Sequence, residues 1–318
     1  MKIKYLCILL ILLITTIKAN ETIEYPWYTG PLITYSAENL EKGLVNIQPY
    51  LHFRDTYGEF NKSWGYKSLP STFTFKPTIN LQFGLTKYLD VTFLMIGYYK
   101  EKSKEKAVEY GDTTVTFGIQ LLRQEKNTYK PSIRLTLAET FPTGKYKNLN
   151  PNKLGIDASG SGSYETTFSL NLSKIAYFFE NHPISFRLNL NYLLPSNAKV
   201  RGFNAYGGGF NTNGTVKPGH IIGIFGSFEF SMTQRWVLAM DILHTHGTKV
   251  TFKGNKGLSL NGLIASNSSS SSSQTSLAPA IEYNFNKNLG VLAGVHFVIQ
   301  NKNATNFLSE VISVTYTF

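Results

Sequence analysis

The feature that most restricts this chain is an alternation of apolar and polar residues that returns twelve times between Leu44 and Phe318. It is cleanest where Phe73, Phe75, Pro77, Ile79, Leu81, Phe83 and Leu85 interleave with Thr72, Thr74, Lys76, Thr78, Asn80 and Gln82. Successive side chains of a β-strand point to opposite faces, so a period of two gives one greasy face and one polar face. Seven apolar positions in register match a strand tilted across a bilayer. Pro77 removes one ladder bond, a local cost. The chain closes on the same pattern, with Ile312, Val314, Tyr316 and Phe318 on one parity and Ser313, Thr315 and Thr317 on the other. A soluble β-sandwich could use one such strand at its edge; twelve in succession point to a membrane barrel.

The expected strands run over residues 44–54, 72–85, 89–99, 112–122, 131–141, 164–173, 184–194, 219–231, 235–245, 275–285, 289–300 and 307–318. Twelve is even, as single-chain bacterial barrels require, and the connections alternate in length. Short ones fall at 86–88, 123–130, 174–183, 232–234 and 286–288. Long ones fall at 55–71, 100–111, 142–163, 195–218 and 246–274, and 301–306 is short for its side. Short turns face the periplasm and long loops the exterior, which places both ends of the barrel region on the periplasmic side. Aromatics gather near strand ends: Tyr88, Tyr177, Trp236, Phe285 and Phe318 toward one rim, Tyr99, Phe141, Tyr164 and Tyr192 toward the other. That is the placement of two interfacial girdles. Glu139 breaks the greasy parity of its strand, which requires either a rim position or a bulge. The run 100–109 and the serines 268–273 read as solvated loop tips, and 250–252 as a prolongation of the ninth strand.

Composition agrees. Of 318 residues only 16% are charged, while 14% are aromatic, and mean hydropathy is slightly negative. A barrel shows lipid only every second side chain, so it is rich in aromatics without being hydrophobic overall. Residues 1–19 read as a secretory signal peptide, with Lys2 and Lys4 ahead of an apolar core at 6–17 and Ala19 before the cut. That core is too short to span a bilayer. Cys7, inside it, is the single cysteine, so the mature chain forms no disulfide. The formal charge of +11 falls to +8 when Lys2, Lys4 and Lys18 leave. Residues 20–43 lack a clean period and carry Pro26 and Pro31; they are either a loose periplasmic leader or a small lumen plug seated by Trp27, Tyr28 and Leu32. Residues 44–318 form the barrel.

Three short blocks carry a resemblance: G-D-T-T-V-T-F-G at Gly111–Gly118, F-P-T-G-K-Y at Phe141–Tyr146 and G-S-G-S-Y at Gly160–Tyr164. Thr29–Leu32 and Asn46–Tyr50 add to it. Together they resemble the outer-membrane transporter-like family named for the MetA pathway of phenol degradation. The stretch that carries the three blocks, residues 111–172, is about a fifth of the chain. The resemblance implies an exported barrel that passes small, often aromatic compounds, and a terminal strand whose Tyr316 and Phe318 address it to the barrel-assembly machinery. It brings no defined binding residues.

Charges belong on the wet face of such a wall rather than toward lipid. The inward parity carries Arg54, Lys76, Asp90, Arg134, Glu165, Arg187, Glu229, Asp241, Glu282 and His296. Counting from the nearest short turns sets Arg134 and Arg187 at the depth of Asp90, Glu229 and Glu282. Two readings follow: a constriction with acids and bases on different arcs, giving a transverse field, or an ion-pair network that braces the wall. No His is followed two residues later by Ser, so the lipid-hydrolase pattern is missing. His244 and His246 could chelate a metal, though such a pair is more often exposed at a rim. Nothing implies a cofactor, an enzyme or a nucleic-acid partner. The expectation is a monomeric twelve-stranded barrel of the bacterial outer membrane, in contact with its lipid. It serves either as a narrow channel for an unidentified small molecule or as a non-conducting surface barrel with a closed lumen.

Overall fold

The computed structural model describes residues 26–125, 128–179 and 182–318. The expected signal peptide and residues 20–25 lie outside them. Among the described residues there are sixteen strands: β1 (Val45–Phe60), β2 (Tyr66–Gly84), β3 (Leu89–Lys102), β4 (Glu105–Tyr110), β5 (Thr113–Leu122), β6 (Ser132–Phe141), β7 (Glu165–Phe179), β8 (His182–Pro195), β9 (Ala198–Arg201), β10 (Asn213–Lys217), β11 (Ile221–Ser231), β12 (Trp236–Gly247), β13 (Thr251–Asn255), β14 (Ser272–Asn284), β15 (Leu289–Lys302) and β16 (Ala304–Thr317). Twelve of them close an antiparallel cylinder in the order β1, β2, β3, β5, β6, β7, β8, β11, β12, β14, β15, β16. The last strand returns to the first in the register Asn46↔Thr317 to Phe60↔Ala304. Val45 N donates to Phe318 O at 2.8 Å and Phe318 N to Val45 O at 2.9 Å. A closed ladder leaves no unpaired edge, the condition a sheet must meet to sit in hydrocarbon.

The burial pattern is that of a soluble sheet turned inside out. On β16, Ile312 and Tyr316 are exposed while Ser309 and Ser313 are buried. On β5, Phe117, Ile119 and Leu121 are exposed and Gln120 is buried. Each apolar side chain left in water forgoes about 1.5–3 kcal/mol of burial, so a belt of them is stable only against lipid. No helix among the described residues is long and apolar enough to cross a membrane.

The strands continue well above the apolar belt. β1 and β2 extend to a hairpin at Phe60–Tyr66, within the stretch expected to be loop. Water bathes both faces there, so the ladder persists while the alternation that announces it fades. The expected tip at 100–109 is likewise a hairpin, β3 folding onto β4 through Ser103 and Lys104, both at positive φ. The segment at 250–252 does not prolong the ninth barrel strand: β12 ends at Gly247, and β13 pairs with β10, which pairs with β9, in a separate three-stranded sheet. The serine run is not structureless either. Ser269 bridges Val250, and Ser272 and Ser273 open β14. Glu139 takes the rim option: it lies near the upper end of β6 and accepts a bond from Thr166 Oγ1 at 2.7 Å. The register shift of this ladder lies at Gln120/Leu122, not at Glu139.

The three blocks behind the family resemblance meet at one place above the barrel. Asp112 accepts from Gly144 N and Ser161 N, both at 2.8 Å. A Cβ on Gly144 would lie 2.8 Å from Gly160 Cα, so the two loops touch through their glycines. Gly118, ending the first block, makes room for Arg134 and Asp90, whose atoms would lie 2.2 Å from a Cβ there. These motif residues hold loops and wall together.

Candidate functional site

The described part of the N-terminal segment lies inside the cylinder. Its backbone belongs to no ladder, and a peptide group buried without a partner costs free energy comparable to a lost hydrogen bond. The inner wall supplies the partners. Thr29 N donates to Glu282 Oε2 at 2.8 Å and Gly30 N to the same oxygen at 3.4 Å. Ile33 N reaches Asp241 Oδ2 at 3.3 Å, and Thr34 gives Asp241 Oδ1 both its amide (3.0 Å) and its hydroxyl (2.5 Å). Leu40 N donates to Asp90 Oδ2 at 3.0 Å. Two wall amides act as surrogate strands. Asn189 takes Tyr35 N at 2.7 Å and gives to Tyr35 O at 3.1 Å; Gln120 takes Asn39 N at 2.7 Å and gives to Ala37 O at 2.8 Å. From Thr29 to Leu40 the segment thus visits β14, β12, β8, β5 and β3 in turn.

Packing follows the same path. Leu32 is buried with Ala239, Ala278, Ala280, Leu292 and Val311, an apolar cluster inside the barrel that Ile33 and Tyr50 flank. Tyr28 Oη donates to Pro183 O at 3.3 Å and accepts from Ser231 Oγ at 3.1 Å, and Trp27 O accepts from Asn284 Nδ2 at 3.1 Å. Wall glycines mark the close approaches: a Cβ on Gly84 would lie 1.8 Å from Glu41 O, and one on Gly290 2.0 Å from Thr29 Oγ1.

The interior acids and bases interlock rather than face each other. Arg134 Nη2 lies 2.5 Å from Asp90 Oδ1, and Arg187 Nη2 lies 2.8 Å from Glu229 Oε2. Arg187 also sits in the field of Glu282 and Asp241. Two of the acids and both arginines at this depth are thus paired, the arrangement that the bracing reading expects. Its physical reason is burial: Asp90 and Glu229 are sealed from water, where a lone charge is far more costly than a paired one. Sequence counting set the depth but could not show that shear brings β3 to β6 and β8 to β11 at these residues.

The remaining charged positions lie apart from this network. Arg54, Lys76 and His296 sit higher on β1, β2 and β15. Arg54 Cζ lies 4.0 Å from the centroid of Phe307, and His296 Nε2 is 2.9 Å from Ser276 Oγ. Glu165, at the upper end of β7, is close to Asp112 and Glu139 instead. His244 Nδ1 is 2.9 Å from Thr275 Oγ1, and no cluster of three or more metal-ligating side chains occurs among the described residues. The residues that inspection of charges passed over are neutral: Gln120, Asn189 and Asn284. Their inward parity was visible, but only the segment they hold gives them a role.

No family model and no curated protein matches the sequence. Among solved structures, the COG4313 outer membrane channel from Pseudomonas putida F1 superposes with a TM-score of 0.70 at 14% identity, covering 90% of this chain and 100% of that one. The transport unit of the autotransporter AIDA-I from Escherichia coli gives 0.45 at 13% identity over 88% and 92% of the two chains. A mutant of the TodX monoaromatic hydrocarbon channel gives 0.42 at 9% over 87% and 90%. The last two likenesses are too loose to add to the argument. With its outward apolar belt and closed ladder, the chain has the fold of a bacterial outer-membrane β-barrel. Within that class its twelve-stranded barrel is similar in fold to the Pseudomonas channel.

Proposed function

We propose that this protein is an outer-membrane channel for small molecules whose lower lumen is narrowed by residues 26–43, acting as a plug. The observation that carries the reading is Tyr35. Its backbone is bonded to Asn189 on the inner wall, yet its side chain is 56% exposed. A residue inside a closed cylinder can be that exposed only to space within the cylinder, so the plug leaves part of the lumen unfilled. Twelve strands enclose a lumen between filled eight-stranded barrels and wide sixteen-stranded porins, so the passage is narrow. The resemblance of Gly111–Gly118, Phe141–Tyr146 and Gly160–Tyr164 to the phenol-pathway transporters supports solutes that include small aromatic compounds.

The reading is of transport rather than catalysis, and it rests on the lumen. Lipid surrounds the exposed belt. Tyr316 and Phe318, stacked with ring centroids 5.5 Å apart at the closing seam, form the segment presented to the barrel-assembly machinery. The bonding of the segment to five strands also favours a second reading, a surface barrel closed for good. A bilayer-conductance and liposome-swelling panel with phenols, sugars and organic anions separates the two. Solute-dependent flux supports the channel, and no flux of any ion or solute contradicts it.

A further inference from the structure

Most charge on the inner wall is accounted for within the protein. Asp90 and Glu229 hold arginines, and Asp241 and Glu282 hold peptide N–H groups. Two cations are not: Arg54 on β1 and Lys76 on β2. Among the described residues no carboxylate lies within 4.0 Å of either. Neither makes a side-chain hydrogen bond to an acceptor among the described residues.

The ladder registers place them in one patch. Lys76 is opposite His52 across β1 and β2, Arg54 is opposite Ser309 across β1 and β16, and Ser309 is opposite His296 across β16 and β15. Arg54 and Lys76 are therefore diagonal neighbours on adjacent strands, about 7–8 Å apart at their bases. The Arg54 guanidinium lies over the Phe307 ring at 4.0 Å. Phe307 is itself buried, and His296 packs against it with ring centroids 4.9 Å apart. Stacking holds the planar fork in place and leaves its N–H edge free. Ser309 is fully buried in the same row, and its hydroxyl has no partner.

Two half-buried cations and an unpartnered hydroxyl without a counter-charge are costly to fold around. The cost is offset when a solute brings the missing charge. A planar guanidinium fork accepts a carboxylate in two parallel hydrogen bonds, and an ammonium beside it supplies a second point charge. We propose that Arg54 and Lys76, on the platform of Phe307 and with the Ser309 hydroxyl behind them, form a binding site for small organic carboxylates, which makes the channel anion-selective. The inference rests on the channel reading and names its substrate class.

The test uses the full chain refolded in detergent, with folding checked by heat-modifiable gel mobility. Reversal potentials are measured across planar bilayers in gradients of potassium acetate, potassium benzoate and potassium phosphate. Benzoate and phosphate binding to the solubilised barrel is followed separately by calorimetry. The proposal expects anion-selective reversal potentials for acetate and benzoate, lost in Arg54→Gln combined with Lys76→Gln and unchanged in Lys253→Gln, on the exposed strand β13 outside the barrel wall. It expects benzoate affinity to fall about tenfold or more in each single variant. Should Arg54→Gln not fold, Arg54→Lys keeps the charge and loses the fork, and is expected to weaken benzoate binding while preserving anion selectivity. Conductance without anion preference, or selectivity unmoved by the double substitution, overturns the site and leaves the channel standing. Benzoate binding lost in the variants of a barrel that never conducts retains the site and overturns the channel. Binding of phosphate without benzoate overturns the carboxylate assignment.

Discussion

Asp241 Oδ1 receives both the backbone N–H and the hydroxyl of Thr34, at 3.0 and 2.5 Å. A wall carboxylate on β12 thus clamps a residue that precedes it by 207 positions in sequence. Hydrogen bonds to a charged group contribute about 1.5–3 kcal/mol each. Asp241→Ala removes this clamp together with the bond to Ile33, and is expected to raise the time-averaged conductance, by no more than complete removal of the segment does. Thr34→Val removes only the hydroxyl and should give a smaller rise in the same direction. Single-channel recording checks both, and unchanged traces would show that the segment is not held here.

The wall glycines test the seat of the N-terminal segment from the other side. A Cβ on Gly290 falls 2.0 Å from Thr29 Oγ1, whereas the nearest atom to a Cβ on Gly226 is Arg187 O at 4.0 Å. Gly290→Val should therefore displace residues 27–34, seen as new protease cleavage or a conductance change, in a barrel that still migrates as folded. Gly226→Ala should do neither.

Much of the cylinder was legible in the sequence, because lipid on one face and water on the other forces a period of two along each spanning strand. All twelve barrel strands could be placed that way, as could the seam between β1 and β16. Legibility ended where that contrast ends. Above the belt, β1 and β2 carry on past Thr56 and Ser71 with water on both faces, and β13 joins β9 and β10 without any alternation to announce it. The interior was readable only as a set of inward charges. That Arg134 would find Asp90 and Arg187 would find Glu229 depends on shear between strands, which no local pattern records. The roles of Gln120 and Asn189 depend on a segment with no period of its own.

The buried pair of Arg134 and Asp90 braces β6 against β3. Arg134→Ala leaves Asp90 with Leu40 N and Gln82 Nε2 but without its counter-charge. Breaking a buried pair by removing one partner costs about 3–5 kcal/mol. Urea unfolding of the barrel in micelles should show a loss of that order. Gly118→Ala should show a loss in the same direction, since its Cβ would strike both partners. A change below about 0.5 kcal/mol in both would remove the bracing role.

Asp112 ties two loops by accepting from Gly144 N and Ser161 N. Asp112→Ala is expected to expose residues 142–163 to limited proteolysis from the outer side while the urea midpoint of the barrel stays within experimental error. Resistance equal to that of the wild type would show that the three motif blocks are held together by other contacts.

The most direct measurement for the account as a whole compares conductance and liposome swelling for the wild type and for a variant lacking residues 26–41, both shown to be folded by heat-modifiable mobility. The account predicts small, solute-dependent flux through the wild type and severalfold larger, less selective flux once the segment is gone. If neither barrel passes any ion or solute, the lumen is not a pathway and the channel reading is wrong.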